Sequence, residues 1–162
     1  MVLGIDPGSR HTGWGLAARD GSRLRLIDAG RISTTTGAPL ADRLRQVFEG
    51  LTAVIREHRP DEASVEDVFY AKNVRSAIRL GHVRGVALLA AASAGLSVHE
   101  YPPASIKMAV VGYGRADKAQ VGLMIRKLLN VRTELPEDAS DALAAAVCHL
   151  LQTPALLKGA RA

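Results

Sequence analysis

Residues 3–15 read LGIDPGSRHTGWG. Val2, Leu3 and Ile5 make a short apolar strand, and Pro7 with Gly8 stops it directly after a carboxylate, Asp6. An ionised group beside a core is costly unless it is paired, bound to a metal or neutralised. Taken alone, Asp6-Pro7-Gly8 reads more readily as a turn, since Asp bonds nearby backbone amides and Gly supplies positive φ. The chain then resumes as a second strand over 12–19 (TGWGLAAR) and a third over about 23–34, with Asp20-Gly21 between them as a hairpin signal. Gly13 and Gly15 are expected to permit close backbone approach across that hairpin. The opening is therefore antiparallel.

From Leu40 the apolar residues Leu44, Val47, Leu51, Val54 and Ile55 recur at three and four, which predicts an amphipathic helix stopped by Arg59-Pro60. Residues 62–69 (EASVEDVF) read as a fourth strand, about 74–94 as a long helix, and 97–101 as a fifth strand closed by Pro102-Pro103. Helices follow at about 104–110, 117–129 and 137–151. Three hairpin-joined strands followed by strands alternating with helices imply an α/β fold, a five-stranded mixed sheet flanked by helices on both faces. One domain over 1–152 is expected, with 153–162 a short flexible tail.

The chain has 162 residues and 48% hydrophobic content, ample for one core. Twenty-one Lys and Arg against sixteen Asp and Glu leave a net charge of +5, with a pI near 9.8. The positive charge is spread along the chain, as on a shaped basic surface that meets a polyanion, with nucleic acid the first to consider. The start shows no basic leader or cleavable apolar segment, and the uncharged run 85–98 is short for a membrane span. Cys148 is the single cysteine, so an internal disulfide and a thiolate zinc cluster are excluded, and a reducing cytoplasm fits.

Four acids stand out by setting: Asp6 at the end of the first strand, Glu66 within the fourth, and Asp138 and Asp141 in the last helix. Strand alternation puts Ser64, Glu66 and Val68 on one face, so a helix covering that face would oblige Glu66 to find a partner. Asp138 lies two residues after Pro136, where the helix dipole favours negative charge. Asp141 is three residues on, so both carboxylates share one side of the helix and repel unless a cation sits between them. The small residues Ala142, Ala144, Ala145 and Ala146 would let this helix lie close on a sheet. With oxygen donors only, and no His pair at zinc spacing, Mg²⁺ or Mn²⁺ is the expected ion. Two such ions activate water and stabilise the leaving oxygen of a phosphodiester, which needs no Ser or Cys nucleophile.

Four segments, GIDPGSRHTGWG, VEDVFYAKNVRSAIRLGHVRGVA, IKMAVVGYGRADKAQV and DASDALAAAV, occur in that order. In them the chain resembles the RuvC family of Holliday junction resolvases, which have the ribonuclease H-like fold. The first motif is shared with sugar kinases and actin-like ATPases, whereas the middle two are more specific to resolvases. The resemblance implies that Asp6, Glu66, Asp138 and Asp141 are catalytic acids holding two metal ions, with Lys118 and Lys107 near the scissile phosphate and Phe69 contacting bases. Lys72, Arg75, Arg79 and Arg115 join Phe69, Lys107 and Lys118 as expected DNA contacts. It also implies a homodimer built on the 74–94 helix, symmetric nicking of four-way junction DNA to 5′-phosphate and 3′-hydroxyl ends, and a branch-migration motor as partner. On that helix Arg75, Arg79 and His82 form a basic stripe. Gly81 and Gly85 would admit another helix, with Val83, Val86, Ala87 and Ala90 as the subunit contact. A non-catalytic junction-binding protein is the alternative; a kinase-like ATPase needs two lobes, for which the chain is too short.

Overall fold

The computed structural model describes residues 1–67 and 74–153. Its strands are β1 (Val2–Asp6), β2 (His11–Asp20), β3 (Arg23–Ser33), β4 (Glu62–Glu66) and β5 (Ser97–Tyr101). The helices are α1 (Leu40–His58), α2 (Val74–Ser93), α3 (Pro103–Val111), α4 (Lys118–Leu128) and α5 (Glu137–Gln152). One sheet runs in the order β3-β2-β1-β4-β5. The β1–β2 and β2–β3 pairs are antiparallel, while β1–β4 and β4–β5 are parallel. The mixed sheet expected from the sequence is therefore present. Its antiparallel half is made by the two-residue turn after Asp20, where Gly21 takes φ 59°.

Alternation along the strands separates two layers. Leu3, Ile5, Leu16 and Val65 face α1 and α2, and pack there with Val47, Leu51, Val54, Val83 and Ala87. Val2 and Ala17 face the other way, into a cluster built from α3, α4 and α5. On this second face α5 lies directly on the sheet: Ala139 and every residue from Ala142 to His149 are buried. A helix covered all round must be apolar all round, and here small residues also thin it.

The sheet beneath is cut away to match. A Cβ on Gly4 would stand 1.8 Å from the Ala142 carbonyl oxygen, and one on Gly13 would stand 1.9 Å from that of Asp138. Gly15 is covered by the Leu143 side chain. The close approach that Gly13 and Gly15 permit is thus by α5, not across the hairpin. Ser64, whose face α5 covers, is buried and donates its hydroxyl hydrogen to the Ala145 carbonyl at 2.8 Å, so a polar strand residue is satisfied by the helix backbone.

Element ends follow their local chemistry. Arg59, in the left-handed region at φ 49°, closes α1 just before Pro60. The fourth strand ends at Glu66, short of the expected 69: the Asp67 amide still donates to the Tyr101 carbonyl, but its side chain turns to Arg84 of α2 at 2.8 Å. Arg84 also holds Glu100. Phe69 and Lys72 lie outside the described residues, as does all of the expected tail beyond Thr153. Cys148 is buried and unpaired, and burial pushes its thiol up to about 11.

One expectation for α2 is corrected. Val83, Ala87 and Ala90 are buried against α1 within this chain, so they are not available to a second subunit. The outward stripe is instead Val74, Ile78, Gly81, Gly85 and Leu89, spaced at three and four; Val74, Ile78 and Leu89 are 76%, 56% and 57% exposed.

Candidate active site

The parallel β1–β4 pair is in register up to Ile5 and Val65, so the next residues, Asp6 and Glu66, end the two central strands side by side. Both belong to the α5 face, since Gly4 and Ser64, two residues back, touch α5. The backbone of Asp138 rests on Gly13, the partner of Asp6 across the β1–β2 pair. The first turns of α5 are thereby carried over the same strand ends, bringing Asp138 and Asp141 with them.

Electrostatics record the convergence. Burial raises the Asp6 carboxyl from its ordinary 3.8 to about 7, helped by the charges of Glu66, Asp141 and Asp138 and opposed by Lys118. Burial also raises Glu66, again with help from Asp141 and against Lys118 and Lys107. A place where burial and like charge both oppose the ionisation of Asp6 and Glu66 is short of positive charge. Two lysines lean into it: Lys107 from α3 and Lys118 from the start of α4.

Lys118 is held from both sides. Asp117 caps α4, its carboxylate accepting the Gln120 amide while the Gln120 side chain accepts the Asp117 amide, a reciprocal box that fixes the first turn. From that turn the Lys118 ammonium donates to Asp141 Oδ2 at 2.7 Å and to Glu137 Oε1 at 2.8 Å. Burial works against its charge, but these two hydrogen bonds outweigh it and hold the lysine above its usual range. Glu137 is correspondingly lowered. Glu137 was not among the sequence candidates; an exposed acid at the first position of a helix looks like a dipole partner, and only the fold sets it beside Lys118.

From Lys118 and Asp141 a groove of about 380 Å³ runs along α4 past Gly122 to Arg126. The other basic candidates stand apart. Arg115 is exposed in the segment before α4, and Arg75, Arg79 and His82 are exposed on α2, in the layer across the sheet from α5. There they line a hollow with Leu40, Val74 and Ile78.

The acids suit a hard divalent cation. All the donors are oxygens, the group carries excess negative charge, and the sites are only partly covered. Exposed phosphate would be met by Lys107, Lys118 and the groove cations. Together these features describe a centre for chemistry on a polyanion.

Residues 2–149 match the family model described as crossover junction endodeoxyribonuclease RuvC. A protein of that name from Geobacter sp. (strain M21) is 51% identical over 163 residues, covering 99% of each chain. The one from Syntrophotalea carbinolica is 55% identical over 148 residues, covering 91% of this chain and 92% of the relative. Among solved structures, Thermus thermophilus RuvC in complex with Holliday junction substrate superposes with a TM-score of 0.87 at 34% identity, covering 93% of this chain and 92% of that one. The yeast mitochondrial Holliday junction resolvase Ydc2 shares the fold, with a TM-score of 0.69 at 13% identity.

Proposed function

The chain belongs to the RuvC family of crossover junction endodeoxyribonucleases and is an endonuclease of Holliday junctions; we propose that Asp6, Glu66, Asp138 and Asp141 are its metal-holding catalytic acids. The observation that carries this reading is the raised Asp6 carboxyl, at about 7, with burial and three acids opposing its charge. Such a group is only about half ionised at neutral pH by itself, and a bound cation would favour its charged form. Two divalent ions, Mg²⁺ with Mn²⁺ as the alternative, would supply an activated water and stabilise the leaving oxygen.

The protein's own contribution is placement. Asp6, whose charge is opposed by Glu66, Asp141 and Asp138, would be a ligand common to the site. Glu66 approaches from the neighbouring strand, and the two α5 carboxylates approach from above. Lys107 and Lys118 attract the scissile phosphate, and Lys118 stabilises the charge that grows on it. Phe69, Lys72, Arg75, Arg79 and Arg115 are proposed as junction contacts, the cations by phosphate pairing and the ring by stacking on a base.

A four-way junction approaches two-fold symmetry, and two matched nicks require two matched sites. We assign the homodimer contact to the exposed α2 stripe from Val74 to Leu89, where Gly81 and Gly85 have open space around them. A branch-migration motor as partner, and the cytoplasm as the compartment of this DNA chemistry, complete the proposal.

The test uses synthetic mobile four-way junctions with each metal. Paired nicks with 5′-phosphate ends are expected, with little cleavage of linear duplex of the same sequence, and a solution mass of two chains. Equal cutting of linear duplex would overturn the junction reading, and a mass of one chain at micromolar concentration would remove the α2 interface. Lys118→Ala is expected to lower kcat by about 10²-fold, the scale of losing one donor to transition-state charge, with junction affinity nearly unchanged. A loss confined to affinity would make Lys118 a docking residue instead.

A further inference from the structure

At the far end of β4 from the acids a second polar cluster is buried under α5. The α5-face positions of β4 are Glu62, Ser64 and Glu66, and those of β5 include His99 and Tyr101. His149, in the last turn of α5, is 3% exposed. Its Nδ1 meets the Tyr101 hydroxyl at 2.7 Å, and its Nε2 meets Glu62 Oε2 at 2.5 Å and Thr153 Oγ1 at 3.4 Å. The His99 ring stacks on His149, with centroids 4.2 Å apart and a 27° tilt. His99 Nε2 is buried and has no hydrogen-bond partner among the described residues. One donor atom each from Glu62, His99 and His149 lie within 4.8 Å of one another.

We propose that Glu62, His99 and His149 form a second metal site, for a zinc-class divalent cation. Two imidazole nitrogens and one carboxylate oxygen are a borderline donor set that favours Zn²⁺ or Co²⁺ over Mg²⁺, opposite to the all-oxygen acids. With Nδ1–H donating to the Tyr101 hydroxyl oxygen, the His149 ring is held with Nε2 as the ligating atom, as an outer hydrogen bond does for a metal-bound imidazole. Donors around a tetrahedral zinc lie about 2.0–2.2 Å from it, hence roughly 3.4 Å from each other. The 2.5 Å contact must therefore open by about 0.9 Å and the widest separation, within 4.8 Å, close by at most about 1.4 Å, and the His99 ring must turn to aim its nitrogen. These are side-chain movements on a fixed backbone. Glu62 is 35% exposed, which gives an ion a path in. At about 3.3 Å per residue, Glu62 and Glu66 stand some 13 Å apart on β4, so the two sites are separate. The site would fasten α5 to β4 and β5 at the end opposite its catalytic turn.

The sequence argued against zinc from the absence of a local His pair, but these ligands come from three elements and have no shared spacing. The test is zinc content after equilibrium dialysis with millimolar Mg²⁺, which occupies the acids, together with the Co²⁺ absorption spectrum. One zinc per chain is expected in the wild type and in Asp6→Asn, with intense bands typical of low-coordinate cobalt. His99→Asn should retain none, and Glu62→Gln should bind at least about tenfold more weakly, each with an unchanged circular dichroism spectrum. Stoichiometric zinc should raise the unfolding temperature of the wild type and not that of His99→Asn. Should His99→Asn fail to fold, Glu62→Gln alone decides. No retained zinc in the wild type, or undiminished binding by the folded variants, would overturn the site and leave a hydrogen-bonded relay.

Discussion

Replacing Asp6 by asparagine is expected to cut junction cleavage by at least about 10³-fold while leaving junction binding in metal-free buffer intact, because the change removes a proposed metal ligand and no surface cation. The same substitution should stabilise the fold at pH 8. The Asp6 carboxyl titrates near 3.8 in the unfolded chain and near 7 in the folded one. Between those values the native state keeps a proton that the unfolded state has released, so stability falls as pH rises from about 4 to about 7. Above that range the fold carries a partly buried charge among three other acids. Asparagine fills the place without the charge, so the variant should melt higher than the wild type at pH 8 in EDTA, and the gain should shrink towards pH 4. Thermal scans at pH 8 and pH 5 measure both ends; identical shifts at the two would show that Asp6 does not titrate as its surroundings dictate. Loss of activity with a gain of stability is the mark of a group kept for chemistry.

The second large effect involves no charge. Gly4→Ala places a methyl 1.8 Å from the Ala142 carbonyl oxygen, and Gly13→Ala places one 1.9 Å from that of Asp138. Each obstacle is helix backbone, so relief requires α5 to rise from the sheet or the strand to bend. Overpacking against a yielding side chain costs about 1–3 kcal/mol, and against backbone it should reach the upper end or exceed it. For a chain of this size that is a fall of roughly 10 °C in Tm. Gly13→Ala should also lower cleavage per folded molecule, since it pushes on the turn carrying Asp138. Gly15→Ala is the comparison: its nearest obstacles are Cγ and Cδ2 of Leu143 at 2.5 and 2.7 Å, with the Leu143 backbone nitrogen at 3.2 Å, and a side chain yields more readily than helix backbone, so a smaller loss is expected. Equal melting temperatures for Gly4→Ala and Gly15→Ala would mean that α5 rides on the sheet more loosely than its contacts indicate.

Local signals carried far in this chain. Proline and glycine punctuation placed four of the five strands and most helix ends to within a residue or two, because those residues act on their own backbone; the end of β4, which no proline or glycine marks, came three residues early. Asp6 and Glu66 drew notice as charges closing apolar strands, and Asp138 and Asp141 as two acids three residues apart on one side of a helix. What local reading lacked was the identity of neighbours across the fold. Val83, Ala87 and Ala90 form an apolar stripe that fits a subunit contact equally well until α1 is seen to cover it. Gly13 and Gly15 announce a close approach without naming what approaches. Glu137 and Lys118 are nineteen residues apart, and Glu62 and His149 are eighty-seven apart; no periodicity links either pair.

Cys148 has a practical consequence for spectroscopy. Its thiol is buried, and burial lifts its ionisation to about 11, so near neutral pH it offers almost no thiolate to a maleimide or a methanethiosulfonate. The natural chain therefore supplies a silent background for site-directed labelling, without a prior cysteine-free variant. Ser22→Cys, exposed in the turn between β2 and β3 and outside the α2 stripe, would accept a spin label selectively, and a pair of such labels would report the distance between copies in the proposed dimer as junction DNA is added.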